Sequence, residues 1–180
     1  MHNDIKEILV TEEQIREKCK ELGSVLSEDY KNKKPLVVGL LKGCVPFIGD
    51  LAKNISAYIQ IDYMDVSSYH GGTQSSGEIR ILKDLSTSVK GRHVIIAEDI
   101  VDTGRTLKEV ISLFESRGAL SVRVVTLLDK PEGRIVDIEA DYIGFTIPKA
   151  FVVGYGLDYG EYEFYRNLPY VGVLKEEVYS

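Results

Sequence analysis

The sequence predicts an α/β protein: a mainly parallel, twisted sheet flanked by helices, in one domain spanning residues 1–180. Three observations carry this. The runs "LVVGLL" (36–41) and "HVIIAED" (93–99) have the unbroken apolar character of strands covered on both faces. Strand-like runs alternate with segments of helical periodicity, as βαβ units require. Polar residues also gather where strands should end, in "LLKG", "AEDIVDTGRT" and "LLDK". In parallel sheets, ligands bind outside the carboxyl ends of the strands.

Taken in chain order, the first clear element is a helix. "TEEQ" from Thr11 is a capping box, in which Thr11 accepts from the amide three residues on and Gln14 reaches back. Ile15, Cys19, Leu22 and Leu26 then share one face. "KNKKP" is a solvated break before the strand 36–41. "KGCVP" turns that strand into a second helix, with Pro46 in its first turn and Phe47, Ile48, Leu51 and Ile55 as its apolar set. "YIQIDYMDVSSY" alternates as a strand. "HGGTQSSGE" (70–78) has no apolar anchor and is expected to be mobile. "IRILK" is a short strand, and "HVIIAED" leads into the helix "LKEVISLFESRG", which stops at Gly118. "SVRVVTLLD" is the next strand. "YIGFTI", "FVVGYG" and "YVGVL" are shorter ones.

Composition narrows the function classes. The 22 basic and 28 acidic residues give a net charge of -6, which argues against a broad nucleic-acid footprint. No segment has the apolar length of a membrane span. The N-terminus "MHNDIKEILV" lacks the basic and apolar regions of a secretory signal, so the expected location is the cytoplasm. Cys19 and Cys44 show neither metal spacing nor a disulfide framework and read as buried thiols.

The stretch "VIIAEDIVDTGRTL" carries the chemistry. An apolar strand ends in the adjacent acids Glu98 and Asp99, and Asp102 follows. A strand sends adjacent side chains to opposite faces, and buried carboxylates need partners. Carboxylates favour Mg²⁺ and also accept from sugar hydroxyls. In "DTGRT", Gly104 permits a tight path, and the amides and hydroxyls of Thr103 to Thr106 suit an anion at a helix N-terminus. An ordinary βα turn capped by Asp102 or Thr103 is the plain structural alternative. A ligand with both phosphate and hydroxyl groups, arriving with a metal, reconciles three acids with a phosphate loop. No Walker A loop or dinucleotide fingerprint occurs.

"VIIAEDIVDTGRT" closely resembles the 5-phosphoribosyl 1-pyrophosphate (PRPP) motif of type I phosphoribosyltransferases. With "LLKG", "SSYHGGTQSSGE", "LLDK" and "IPKAFVVGYGLDY", the stretch from about Leu36 onward resembles the hypoxanthine-guanine phosphoribosyltransferases. The resemblance implies a small hood built from terminal segments and a flexible lid loop. It implies transfer of the phosphoribosyl group from PRPP to N9 of hypoxanthine or guanine, giving IMP or GMP and pyrophosphate with Mg²⁺. It implies a homodimer or homotetramer, with no nucleic-acid or membrane partner. It assigns Glu98 and Asp99 to the ribose diol and metal, and Asp102 to acid/base work at purine N7. Thr103, Gly104, Arg105 and Thr106 fall to the 5′-phosphate. Lys42 and Gly43, after a peptide bond that is often cis in the family, fall to pyrophosphate. Lys130 falls to the purine 6-oxo group, Phe151 to ring stacking, Val152 to the purine edge and Asp158 to a second metal ion. Ser68 and Tyr69 would begin the lid. The family's pyrophosphate arginine corresponds to Arg166, which here lies eight residues after Asp158, two more than usual.

Taken singly, Lys130 reads as a surface lysine, Phe151 as core, Tyr69 as a loop aromatic and Asp158 as a turn cap. The C-terminal tyrosines suit either a subunit interface or a cover for the purine pocket. Two rival functions follow from the same residues. One is a PRPP- or nucleotide-binding regulator of the same fold, which the net charge disfavours. The other is an enzyme for another base: Lys130 with "KAFVVGYGLDY" disfavours adenine and pyrimidines but does not rank hypoxanthine, guanine and xanthine.

Overall fold

The computed structural model describes residues 2–68 and 79–180. In chain order the elements are β1 (Ile5–Val10), α1 (Glu12–Asp29), β2 (Leu36–Leu40), α2 (Cys44–Ala52), β3 (Gln60–Ser68) and β4 (Ile79–Lys83). There follow β5 (His93–Val101), α3 (Arg105–Ser116), β6 (Ser121–Asp129), β7 (Tyr142–Thr146), β8 (Val152–Val153), β9 (Val171–Leu174) and the short α4 (Glu176–Tyr179). The main sheet runs β4-β3-β2-β5-β6-β7. Its pairs from β3 through β7 are parallel, and only the β4 edge is antiparallel.

The alternation of the central strands divides the core into two layers. Val37, Ile95, Ala97, Val125 and Leu127 pack with Ile15, Cys19, Leu22 and Leu26 of α1 and Phe47, Ile48 and Leu51 of α2. Leu36, Val38, Val94, Ile96 and Val124 pack with Leu107, Val110 and Phe114 of α3. All five residues of β2 are buried, which explains why its sequence shows no alternation. Gly144 in β7 matters for this packing: a Cβ there would meet the Leu127 carbonyl oxygen of β6 at 2.5 Å.

A second sheet, β1-β9-β8, joins the two ends of the described chain antiparallel, with Ile5 opposite Leu174 and Val152 opposite Val173. It is the hood that the family resemblance implied, but two of its strands depart from the sequence reading. β1 was not expected. Its middle residues are exposed, so "IKEILV" shows little apolar pattern, and its partner is distant in sequence. "FVVGYG" forms only two strand residues, because Gly154, Tyr155 and Gly156 all take positive φ (98°, 50° and 100°).

The capping box at Thr11 forms in full. Two further expectations need correction. α2 ends at Ala52, so Ile55 packs against the core from beyond the helix. α3 is capped by Gly104, at φ 79°, with no side-chain cap from Asp102 or Thr103. The lid segment proposed for 70–78 and its lead residue Tyr69 lie outside the described residues; Ser68 ends β3.

Candidate active site

The carboxyl ends of β2 and β5 open into a cavity of about 360 Å³. Lys42 and Gly43 line it from the turn after β2. Glu98, Asp99, Asp102, Thr103, Gly104 and Thr106 line it from the end of β5 and the loop into α3, and Asp158 and Arg166 from the segment around the hood. Thus residues far apart in sequence that were assigned to ribose, phosphates and metal share one space. Arg105, the first residue of α3, is exposed and is not part of the lining. Lys130 and Phe151 line a neighbouring cavity of about 380 Å³ with Lys149 and Tyr179. Val152 is buried in β8.

The loop into α3 lines the cavity with Thr103, Gly104 and Thr106. Gly104 is buried and left-handed, and a Cβ there would meet Ile138 at 2.4 Å, so glycine is required on both counts. Among the described residues, the side-chain bond at this helix start is a long one, from the Arg105 amide to Thr103 Oγ1 at 3.4 Å. An uncapped helix N-terminus beside two threonine hydroxyls is suited to a phosphate.

Glu98 and Asp99 are the least compensated acids of the site. Burial, then the neighbouring Asp99 charge, pushes the Glu98 pKa well above the usual carboxylate range. Glu98 accepts no hydrogen bond among the described residues. Asp99 is pushed up to about 6, chiefly by burial, although the Ile100 amide donates to it at 2.8 Å and Arg166 opposes the shift. Asp62, on β3, is the structural counterexample. It is buried, but amides of Tyr63, Ser86 and Thr87 donate to it at 2.8, 2.8 and 2.9 Å; burial raises its pKa, and these bonds outweigh that and leave it lowered. Glu98 is half-buried at the cavity wall and receives no such amides among the described residues.

The backbone opposite Asp99 is shaped to this pair. A Cβ on Gly43 would sit 1.7 Å from Asp99 Oδ2, so only glycine lets the turn after β2 approach β5 so closely. The Leu41–Lys42 peptide, which the sequence left open, is cis. Lys42 pairs with Glu163 at 2.6 Å, and Arg166 pairs with Asp158 at 3.0 Å and Glu163 at 3.4 Å. The acids Glu98, Asp99 and Asp158 line the cavity beside the cations Lys42 and Arg166, and carboxylate oxygens suit a hard cation. Among the described residues no group of three or more ligating side chains could hold a metal by itself. Two carboxylates that leave the remaining positions to substrate oxygens and water fit Mg²⁺.

Asp102 lines the same cavity but has a partner of its own. Its carboxylate lies 2.6 Å from the Lys130 ammonium, which is 14% exposed. The contact joins the loop after β5 to the residue after β6 and lies between the two cavities. Gly133 permits it, since a Cβ there would be 1.8 Å from Asp102 Oδ1. Phe151 stacks on Tyr179 of α4 (centroids 4.8 Å apart, planes 20° apart) and meets Tyr159 edge-on at 5.3 Å. One ring face is therefore backed by aromatics.

Sequence reasoning missed Arg134. Its guanidinium donates to the carbonyls of Val101 at 2.9 Å, Asp102 at 2.5 Å and Ile138 at 3.0 Å, and to the buried Asp129 carboxylate. It thereby fixes the Asp102 backbone against the end of β6. No local signal marked it: in "DKPEGR" it reads as a surface residue of a polar loop.

With this geometry in hand, the class is clear. The chain belongs to the phosphoribosyl transferase domain family, whose model matches residues 7–160. Within that class it is similar to hypoxanthine-guanine phosphoribosyltransferases. That of Streptococcus pneumoniae strain R6 is 59% identical over 180 residues, 100% of this chain and 99% of that protein. The Bifunctional protein TilS/HprT of Listeria monocytogenes is 57% identical over the same 180 residues, which are only 28% of its length. A crystal structure of a hypoxanthine phosphoribosyltransferase from Staphylococcus aureus superposes with a TM-score of 0.95 at 57% identity, covering 100% of this chain and 97% of that one.

The acid pair yields a pH prediction. Because folding raises the Asp99 pKa, the associated stability is complete below the ordinary value of 3.8 and is lost as pH rises through about 6. Asp99→Asn should raise Tm at pH 8 by roughly 2–6 °C, or about 1–2 kcal/mol, and leave it unchanged near pH 4. Melting curves at the two pH values check this, and a lower Tm at pH 8 would contradict the account of an uncompensated acid.

Proposed function

We propose that this chain is a purine-salvage enzyme that transfers the 5-phosphoribosyl group from PRPP to N9 of hypoxanthine or guanine, releasing pyrophosphate and giving IMP or GMP. The observation that carries the reading is the Asp102–Lys130 contact at 2.6 Å, beside an uncapped phosphate loop. A 6-oxopurine presents N7 and O6 side by side on one edge. A carboxylate and an ammonium set side by side complement an N7–H donor and an O6 acceptor. Adenine would bring an amino donor against the ammonium, so the same pair rejects it.

The roles follow from charge development. Departure of pyrophosphate leaves the anomeric carbon with oxocarbenium character, as in glycoside cleavage. Glu98 and Asp99 put negative charge near the sugar, and the ribose hydroxyls can donate to them. Thr103, Gly104, Arg105 and Thr106 hold the 5′-phosphate at the start of α3. Lys42, the Gly43 backbone and Arg166 meet the departing pyrophosphate. Asp102 takes the proton at purine N7 as N9 attacks, and Lys130 holds O6. Phe151, backed by Tyr179, offers a flat face to the base, with Val152 at its edge. Mg²⁺ held by Glu98 and Asp99, and a second ion held by Asp158, would add positive charge for the leaving group. Ser68 and Tyr69 would lead a lid that excludes water from the reactive sugar. The working form is a single catalytic unit over residues 1–180, placed in the cytoplasm as a homodimer or homotetramer. No helix among the described residues is long and apolar enough to cross a membrane.

Incubation with PRPP, Mg²⁺ and each base in turn tests the reading. Nucleotide should form with hypoxanthine or guanine, with xanthine as the remaining 6-oxopurine to rank. No turnover with any purine, together with tight PRPP or nucleotide binding, would favour a regulator instead.

Two variants test the roles. Asp102→Asn should lower kcat by about 10²–10⁴-fold while changing PRPP binding little, which steady-state kinetics and a PRPP titration together measure. An unchanged kcat removes Asp102 as the proton acceptor. Lys130→Ala should raise KM for hypoxanthine and narrow the preference over adenine by roughly tenfold or more. If neither moves, Lys130 is no reader of the base.

A further inference from the structure

Lys42 and Arg166, the two cationic side chains assigned to pyrophosphate, are joined by one carboxylate. Glu163 lies 2.6 Å from Lys42 Nζ and 3.4 Å from Arg166 Nη2. Nothing in the local sequence requires this: Glu163 and Lys42 are 121 residues apart. The bridge is delivered by the excursion that separates Asp158 from Arg166. Tyr159 and Phe164 face each other across an antiparallel bridge, and the Glu163 amide donates to Gly160 O at 3.1 Å. Gly160 takes φ 87°, and Glu163 and Tyr165 take φ 54° and 75°. Left-handed backbone at two non-glycine residues costs energy and is held only where surroundings enforce it. The backbone therefore aims Glu163 at the two cations.

We propose that Glu163 is a built-in competitor for pyrophosphate: its carboxylate occupies the Lys42–Arg166 pair and must be displaced before the pyrophosphate group of PRPP, or free pyrophosphate, can be bound there. The proposal rests on the pyrophosphate assignment made above. Charge decides the direction of the exchange. A single carboxylate confronts a ligand with several negative charges, so the substrate wins, at reduced affinity. The Lys42–Glu163 pair is 59% and 41% exposed, so it tunes binding and does not block it. Its presence keeps the cations from holding pyrophosphate after transfer. An exposed carboxylate is charged at neutral pH, and the Lys42 hydrogen bond lowers the Glu163 pKa further.

Calorimetric titration of the full chain with pyrophosphate and Mg²⁺ tests this on wild type, Glu163→Gln and Glu163→Ala. Glu161→Gln is the control, since it removes the same charge from the same exposed excursion. Both Glu163 variants should bind pyrophosphate about two- to tenfold more tightly and lower KM for PRPP similarly, with KM for hypoxanthine unchanged. Glu161→Gln should change each by less than about twofold. A structural role for Glu163 would weaken binding when the residue is replaced, the opposite sign. Equal or weaker binding by both Glu163 variants overturns the proposal, as does a Glu161→Gln effect of the same size. If wild type itself binds no pyrophosphate, the site assignment falls and takes this inference with it; if wild type binds and the Glu163 variants bind no tighter, the inference alone falls.

Discussion

Three carboxylates within five residues at the carboxyl end of β5 repel one another, and the organisation of the site follows from how they are kept apart. Glu98 and Asp99 both line the cavity, close enough for the Asp99 charge to raise the Glu98 pKa. Asp102 is carried beyond the strand and paired with Lys130. The acids are thereby distributed along a space that can take an extended ligand, with a phosphate-binding helix start at one side and a base-reading pair at another. Had the chain needed only stability, it could have given Glu98 the amides it gave Asp62. Glu98, with no such donors, and Asp99, with the Ile100 amide, instead leave a demand for positive charge that a cation can meet.

Close backbone approaches make this separation possible. Gly43 lets the turn after β2 come against Asp99, Gly133 lets the loop after β6 come against Asp102, and Gly104 starts α3 in a left-handed turn without a side-chain cap. Arg134 then ties the Asp102 backbone to Asp129 at the end of β6. These contacts position groups that cannot position themselves, because like charges placed together would otherwise move apart. The hood contributes the remaining cation, Arg166, and a partner for Phe151 in Tyr179.

Most of the main sheet was legible because its signals are local. A buried strand such as β2 is a run of apolar residues, and the start of α1 is written in the side chains at Thr11 and Gln14. β1 was not legible, because half-exposed residues carry little pattern and its pairing depends on β9. The acids of the site could be read for a related reason: strands that bury both faces rarely end in adjacent carboxylates without cause. Arg134 and Glu163 could not. Each is an ordinary polar residue in a loop, and its part in the site arises from contacts with residues distant in the chain or beyond the loop. The longer spacing between Asp158 and Arg166 was visible, but only the fold shows that the excursion brings a carboxylate back to Lys42.

The central claim is that the three acids hold separate jobs and that Asp102 alone answers to the purine ring nitrogen. The most direct measurement compares hypoxanthine with 7-deazahypoxanthine, in which carbon replaces N7 and the 6-oxo group is kept. The account predicts that the analogue binds within about tenfold of hypoxanthine but turns over at least about 10²-fold more slowly, and that Asp102→Asn costs it almost nothing further. Turnover of the analogue at a rate near that of hypoxanthine, or an equal loss on Asp102→Asn with both bases, would contradict it.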